Sequence, residues 1–233
     1  MNANPDLVGI GLYTVDDAAR LAEVTPARVR GWVQGYDRGK PAHDKPGRTR
    51  PAMIGHTLPN LEGRIALTFR ELIEVRFIRH FLRAGVSWRT IRQAVREARR
   101  ELLGEEATRV RFSTDGVTVF ADALALDGDR RARDLVANQY VLLLILEQGL
   151  RSEFDLDADN LIRAWTPRRE TPLVLVNPRR SFGRPIVEPG IPTATLANAL
   201  TAERGDTARV AAQYETTEEA VRQAAAFEMT LVM

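Results

Sequence analysis

Between Thr14 and Tyr36 apolar residues recur at helical spacing in two short runs separated by a polar break. Val15, Ala18, Ala19 and Leu21 make the first run; Val29, Trp32 and Val33, at i, i+3 and i+4, make the second. Thr14 with Asp17 three residues on predicts a capping box, and Asp16 and Asp17 suit the positive end of the helix dipole. Thr25 is placed to cap the second helix with Pro26 at its first position, where the missing N–H costs nothing. The turn is then only Glu23 and Val24. With Val29, Trp32 and Val33 facing inward, Arg28, Arg30 and Gln34 face solvent together with Thr25 and Pro26 at the helix start. That is the geometry of a helix-turn-helix, whose second helix enters a DNA groove.

The same reading extends down the chain. A broad apolar face from Phe69 to Leu82 predicts a helix opened by a Thr68–Glu71 capping box and ended at Gly85. Ser87 caps the next, with Trp88, Ile91, Val95, Ala98 and Leu102 in a stripe of about 16 residues, or ~24 Å. Alternation around Thr114-Asp115-Gly116 predicts a hairpin, 109–113 with 117–121. Residues 134–148 read as a buried helix, and Phe154 with Leu161 to Trp165 as a second hairpin around Asp157 to Asn160. Leu173 to Val176 reads as a strand. Three closing helices, Ala194 to Glu203, Thr207 to Gln213 and Glu218 to Met229, share a core of Leu196, Leu200, Val210, Ala211, Val221 and Phe227, with Thr193 capping the first. The expected fold class is α+β: a winged helix-turn-helix unit at 1–104, a small mixed segment at 105–178 and a trihelical unit at 179–233.

Charge sharpens this picture. The formal net charge is +2, but residues 1–103 hold 18 Lys and Arg against 11 Asp and Glu, whereas residues 104–233 hold 15 against 20. The positive half carries the helix pair, as phosphate neutralisation requires. Arg48, Arg50 and Arg64 lie in a Gly- and Pro-punctuated stretch after the second helix, the position of a basic wing. The chain has no Cys, which excludes disulfides and thiolate chemistry and fits a cytoplasmic protein. No secretory leader is visible at the N-terminus, and the longest apolar run, Tyr140 to Leu146, is far short of the ~20 residues of a membrane span.

Two stretches resemble known families. Val24, Thr25, Pro26, Val29, Arg30 and Trp32, followed by Gly85-Val86-Ser87 and Ile91-Arg92, resemble the winged-helix domain of MerR-type regulators over about the first hundred residues. In that family a long helix after the domain dimerises as a coiled coil; here the helix is short. Gly183, Arg184, Pro185, Ile186, Gly190, Ile191, Pro192, Thr193 and Leu196, then Val210, Ala211, Tyr214, Thr217, Val221 and Ala224, resemble the domain of unknown function 433 family. Members with a MerR-like N-terminal domain look like VapB-type antitoxins paired with PIN-like toxins. The resemblance implies a homodimeric repressor with two partners, double-stranded operator DNA and a PIN-like ribonuclease toxin.

Residue chemistry offers no catalytic site. His43, His56 and His80 stand at no metal-ligand spacing. Asp155, Asp157 and Asp159 imitate an EF-hand start, but Asn160 replaces the required Gly and Thr166 the bidentate Glu, so a hairpin turn is the better reading. No phosphate-binding Gly loop or nucleophile elbow is present, and neither a cofactor nor a metal is expected. The apolar C-terminus, Met229, Leu231, Val232 and Met233, lies beyond the predicted helix and reads as a contact for the toxin or a second copy. Two alternatives remain: a MerR-type regulator whose C-terminal half senses a small molecule through an apolar pocket, and an enzyme with an unrecognised site in 105–178. The last two helices are themselves arranged like a helix-turn-helix, but Glu215, Glu218 and Glu219 favour protein contact over DNA.

Overall fold

A computed structural model describes residues 9–38, 48–56, 58, 63–92, 151–156 and 162–232. The hairpin expected around 114–116 and the helix at 134–148 lie outside these residues, as does Met233. Within them the fold is mixed α and β. Strand β1 (Leu12–Thr14) leads into α1 (Val15–Ala22) and α2 (Pro26–Gln34), followed by β2 (Tyr36–Arg38) and β3 (Arg48–Arg50), which pair antiparallel. Strand β4 (Ala66–Thr68) pairs antiparallel with β1 and opens α3 (Phe69–Arg83). A further helical stretch begins at residue 88. Downstream, β5 (Phe154–Leu156), β6 (Ile162–Trp165), β7 (Leu175–Val176), β8 (Pro185–Val187) and β9 (Ile191–Pro192) form one antiparallel sheet in sequence order. Three helices close the chain: α4 (Thr193–Ala202), α5 (Thr207–Gln213) and α6 (Glu218–Val232).

The local signals act as written at both capping boxes. Thr14 Oγ1 accepts from Asp17 N while the Asp17 carboxylate accepts from Thr14 N (3.2 Å), and Thr68 and Glu71 repeat the exchange at α3. Two other caps differ from expectation. Thr25 precedes α2, but its carbonyl takes the N–H groups of Arg28 (2.9 Å) and Val29 (3.2 Å), and its hydroxyl makes no capping bond. Thr193 is the first residue of α4 and not its cap, and its hydroxyl donates instead to the Glu228 carboxylate (2.5 Å). The third difference is the length of α6. It continues to Val232 because Leu231 falls one and two turns beyond Phe227 and Ala224 on the same face and packs on the core.

One buried cluster runs from Tyr13 through Trp32, Leu72 and Ile78 to Trp165, Val187, Leu196, Val221 and Phe227. Helices from both ends of the chain therefore share a core. Burial of Trp32 and Phe227, at 2% and 0% exposed, fixes the inward faces of α2 and α6.

Candidate nucleic-acid interface

Helix α2 presents the face its sequence implies. Thr25, Pro26, Arg28, Arg30 and Gln34 are all exposed, whereas Val29, Gly31, Trp32 and Val33 are buried. Arg30 lies 4.0 Å from Asp16 across the helix pair, both well exposed, so its guanidinium is only loosely held. Arg64 is exposed beside β4. Arg48 and Arg50 occupy two of the three positions of β3.

The hairpin that carries these two arginines is fixed to α2 at both ends. At its start the Tyr36 ring lies so close over Gly31 that a methyl group there would overlap the ring atoms. At its return, the N–H groups of Met53 and Ile54 both donate to the Trp32 carbonyl, at 2.7 and 2.8 Å. The Trp32 ring in turn packs against Trp88 with centroids 5.8 Å apart. A strand pair and an exposed helix face are thus held side by side, which is what continuous contact along a groove and its phosphates needs.

The turn between α1 and α2 is held from the opposite side by charge. Glu23 ends α1 in the left-handed region (φ 53°). Its carbonyl accepts from Arg79 Nε of α3 (3.0 Å), and its carboxylate meets Arg79 Nη2, Arg168 Nε (3.3 Å) and Arg83 Nη1 (3.6 Å). Arg168 also donates to the last carbonyls of α1, Leu21 O at 2.9 Å and Arg20 O at 3.1 Å, and its guanidinium lies 5.9 Å from the centre of the Phe227 ring. One side chain therefore joins the end of α1 to the core of α6. Burial pulls the Arg79 guanidinium down to about 10, with Arg83 and Arg168 adding to the effect, and it stays charged at neutral pH. Beside this cluster, Arg76 grips Glu153 through two bonds (2.6 and 3.0 Å) and Trp165 Nε1 donates to the same carboxylate (3.2 Å). None of Glu23, Arg76, Arg79, Glu153 or Arg168 stands out in the sequence.

A cleft of about 460 Å³ opens on the other flank of α1. Leu12, Asp17 and Arg20 line it from the N-terminal side, and Arg184, Thr193, Glu228, Leu231 and Val232 from the C-terminal side. Tyr13, in its wall, is 3% exposed and its hydroxyl has no hydrogen-bond partner among the described residues; burial pushes that hydroxyl above the phenol range. Of the expected C-terminal contact residues, Met229 (64%) and Val232 (87%) are exposed, while Leu231 packs on the core and lines the cleft.

With the geometry in view, relatives give it context. No family model matches the chain. A curated Mycobacterium tuberculosis protein named "Putative antitoxin VapB45" is 28% identical over 203 residues, which is 83% of this chain and 84% of that protein. The crystal structure of Rv2018 from Mycobacterium tuberculosis superimposes with a TM-score of 0.63 at 22% identity, covering 93% of this chain and 98% of that one. The second similarity establishes a shared fold.

Among the described residues no group of three or more His, Asp or Glu is arranged to hold a metal ion. His56 is instead engaged with the buried Glu71 carboxylate (3.2 Å), and Asp155 with Arg163 across the β5–β6 pair. No described helix is long and apolar enough to cross a membrane.

Proposed function

We propose that the chain is the antitoxin of a toxin–antitoxin pair, which binds its operator through a winged helix-turn-helix and neutralises a PIN-like ribonuclease. The observation that carries this reading is the similarity, along most of both chains, to a protein named as an antitoxin. The geometry supports the DNA half: α2 is the recognition helix, offering Arg28, Arg30 and Gln34, and the β2–β3 hairpin with Arg48 and Arg50 is the wing. Neither task asks this chain for chemistry, only for complementary surfaces. Repression follows from occupying the operator, with two copies reading two half-sites.

Co-expression with the protein encoded by the adjacent reading frame tests the toxin half. The chain is expected to relieve growth arrest caused by that protein; persistent arrest, with both proteins soluble, rejects it. Titration of the chain's own upstream DNA at rising salt tests the other half, with affinity expected to fall steeply.

The cleft between α1 and α6 offers room for a second reading, a regulator that senses a small molecule, although Asp17, Arg20, Arg184 and Glu228 make it a charged site and not the apolar pocket expected. Its volume suits a modest ligand, and it touches the helix that precedes the recognition helix. A metabolite that raises the melting temperature and alters operator affinity together supports that reading over the first.

A further inference from the structure

Ser181, Phe182 and Gly183 are three consecutive residues with positive φ, 47°, 57° and 81°. Left-handed backbone is costly for residues with a Cβ, and for a bulky side chain such as Phe182 it persists only where surrounding structure enforces it. The enforcement is visible on both sides. Arg180 donates to both carboxylate oxygens of Glu188 (2.6 and 3.0 Å) and to the Pro189 carbonyl, and Ser181 Oγ donates to Gly190 O (3.2 Å). Below the turn, the Tyr13 hydroxyl sits so close to Gly183 that no Cβ fits there. Strain of this kind clusters at sites where the backbone holds a side chain ready for use. Here Phe182 is 78% exposed.

We infer that Phe182 is a preformed anchor for a partner protein, held out on a rigid left-handed turn and fitting an apolar pocket ringed by carboxylates. The charge around it sets the partner's chemistry. Residues 177–192 hold Arg179, Arg180 and Arg184 against the single acid Glu188, and Glu188 is already neutralised by Arg180. Arg179 and Arg184 flank Phe182 and are exposed. Such a surface, a rigid aromatic beside arginines, has the composition of an interface hot spot. A phosphate backbone is the poorer occupant, because in the adjoining cleft the carboxylates of Asp17 and Glu228 balance the guanidiniums of Arg20 and Arg184, which leaves no continuous positive track for it. Exposed Val232, on another wall of that cleft, extends the apolar contact toward the end of α6. The inference rests on the antitoxin reading for the identity of the partner, which is then the toxin.

The test is Phe182→Gly in the full-length chain, because glycine relieves the left-handed strain while removing the anchor. Calorimetric titration with the product of the adjacent reading frame is expected to show at least a tenfold loss of affinity, with a melting temperature equal to or above the parent's. Reversing the flanking charge (Arg179→Glu with Arg184→Glu) is expected to weaken binding and to invert its salt dependence, since salt then screens repulsion from the partner's carboxylates. Parental affinity in the glycine variant overturns the anchor and leaves the antitoxin reading standing. A lower melting temperature overturns it too, since the phenyl ring would then serve the fold. So does loss of operator binding, or of self-association by light scattering, with toxin affinity unchanged: the occupant would be DNA or a second copy. If the parent itself does not bind the adjacent product, the antitoxin reading fails and takes the inference with it.

Discussion

The molecule contains the same local device twice, α1 with α2 and α5 with α6. In each, a short helix ends with a glutamate in the left-handed region, Glu23 at φ 53° and Glu215 at φ 51°. In each, the next N–H reaches back to the carbonyl five residues earlier, Val24 to Ala19 (2.8 Å) and Thr216 to Ala211 (3.0 Å). The second helix then buries an aromatic, Trp32 or Phe227, on its inner face. The outer faces diverge. Helix α2 has no acid in its first turn and exposes Arg28 and Arg30, whereas α6 opens with Glu218 and Glu219, both bonded to Arg222. One scaffold thus yields a surface that attracts phosphate and another that repels it, so local geometry alone does not identify a DNA reader.

The comparison is tested most severely at the two aromatics. If they are equivalent core anchors, Trp32→Ala and Phe227→Ala should each cost about 3 to 5 kcal/mol in urea denaturation. Operator binding by the Trp32 variant should fall only in proportion to the fraction unfolded. A Trp32→Ala protein that melts like the parent yet no longer binds DNA would make Trp32 a contact residue and break the parallel. The outer faces come next in size. Arg30→Ala should weaken operator binding by about 1 to 3 kcal/mol if it reads a base, or reduce the salt slope by about one if it meets a phosphate. Arg222→Ala on α6 should leave binding unchanged.

A smaller effect separates the two turns themselves. Glu215→Gly should stabilise by up to about 1 kcal/mol, because glycine enters the left-handed region freely. Glu23→Gly gains the same relief but leaves Arg79 and Arg168, 7% and 9% exposed, without their carboxylate. A net loss of about 1 to 2 kcal/mol is expected, moderated by the partial exposure of Glu23. Equal melting temperatures for the two variants would remove the asymmetry. The smallest effect is at Asp17. Partial burial raises its carboxyl, but hydrogen bonds with Thr14 and Arg20 outweigh this and hold it below its ordinary 3.8. Its contribution is therefore present above the unfolded value and is lost as pH falls through the depressed folded one. Hydrogen exchange at the start of α1 should rise in that acid range more in the parent than in Asp17→Asn.

Sequence makes local features legible and leaves long-range ones invisible. The capping boxes at Thr14 and Thr68, the inward face of α2 and the core positions of α5 and α6 follow from spacing within a few residues. Thr25 and Thr193 mislead because a hydroxyl at a helix start has competing partners: a backbone carbonyl serves in place of the first, and Glu228 claims the second. The end of α6 reads short because Leu231 has the look of a tail until the core it meets is visible. Glu23 and Arg168 read as ordinary solvated charges, since nothing in the spacing of residues so far apart reveals that they meet. Phe182 shows the same limit, for its exposure and backbone angle belong to the folded loop and not to the pattern around it.

The bonds from Arg168 to the last carbonyls of α1 also carry a consequence for synthesis. Leu21 leaves the ribosome 147 residues before the side chain that caps it, a delay of about 7 to 30 s at ordinary elongation rates. During that interval the Leu21 carbonyl lacks its guanidinium donor, the Arg20 carbonyl keeps only the Glu23 N–H (3.2 Å), and the Glu23 turn lacks one of its arginines. Nascent or truncated chains ending before Arg168 thus carry a looser α1–α2 turn than finished ones. Completion of the polypeptide becomes a condition for a firmly held helix pair, and under the proposed function fragments from an interrupted message should compete poorly for the operator.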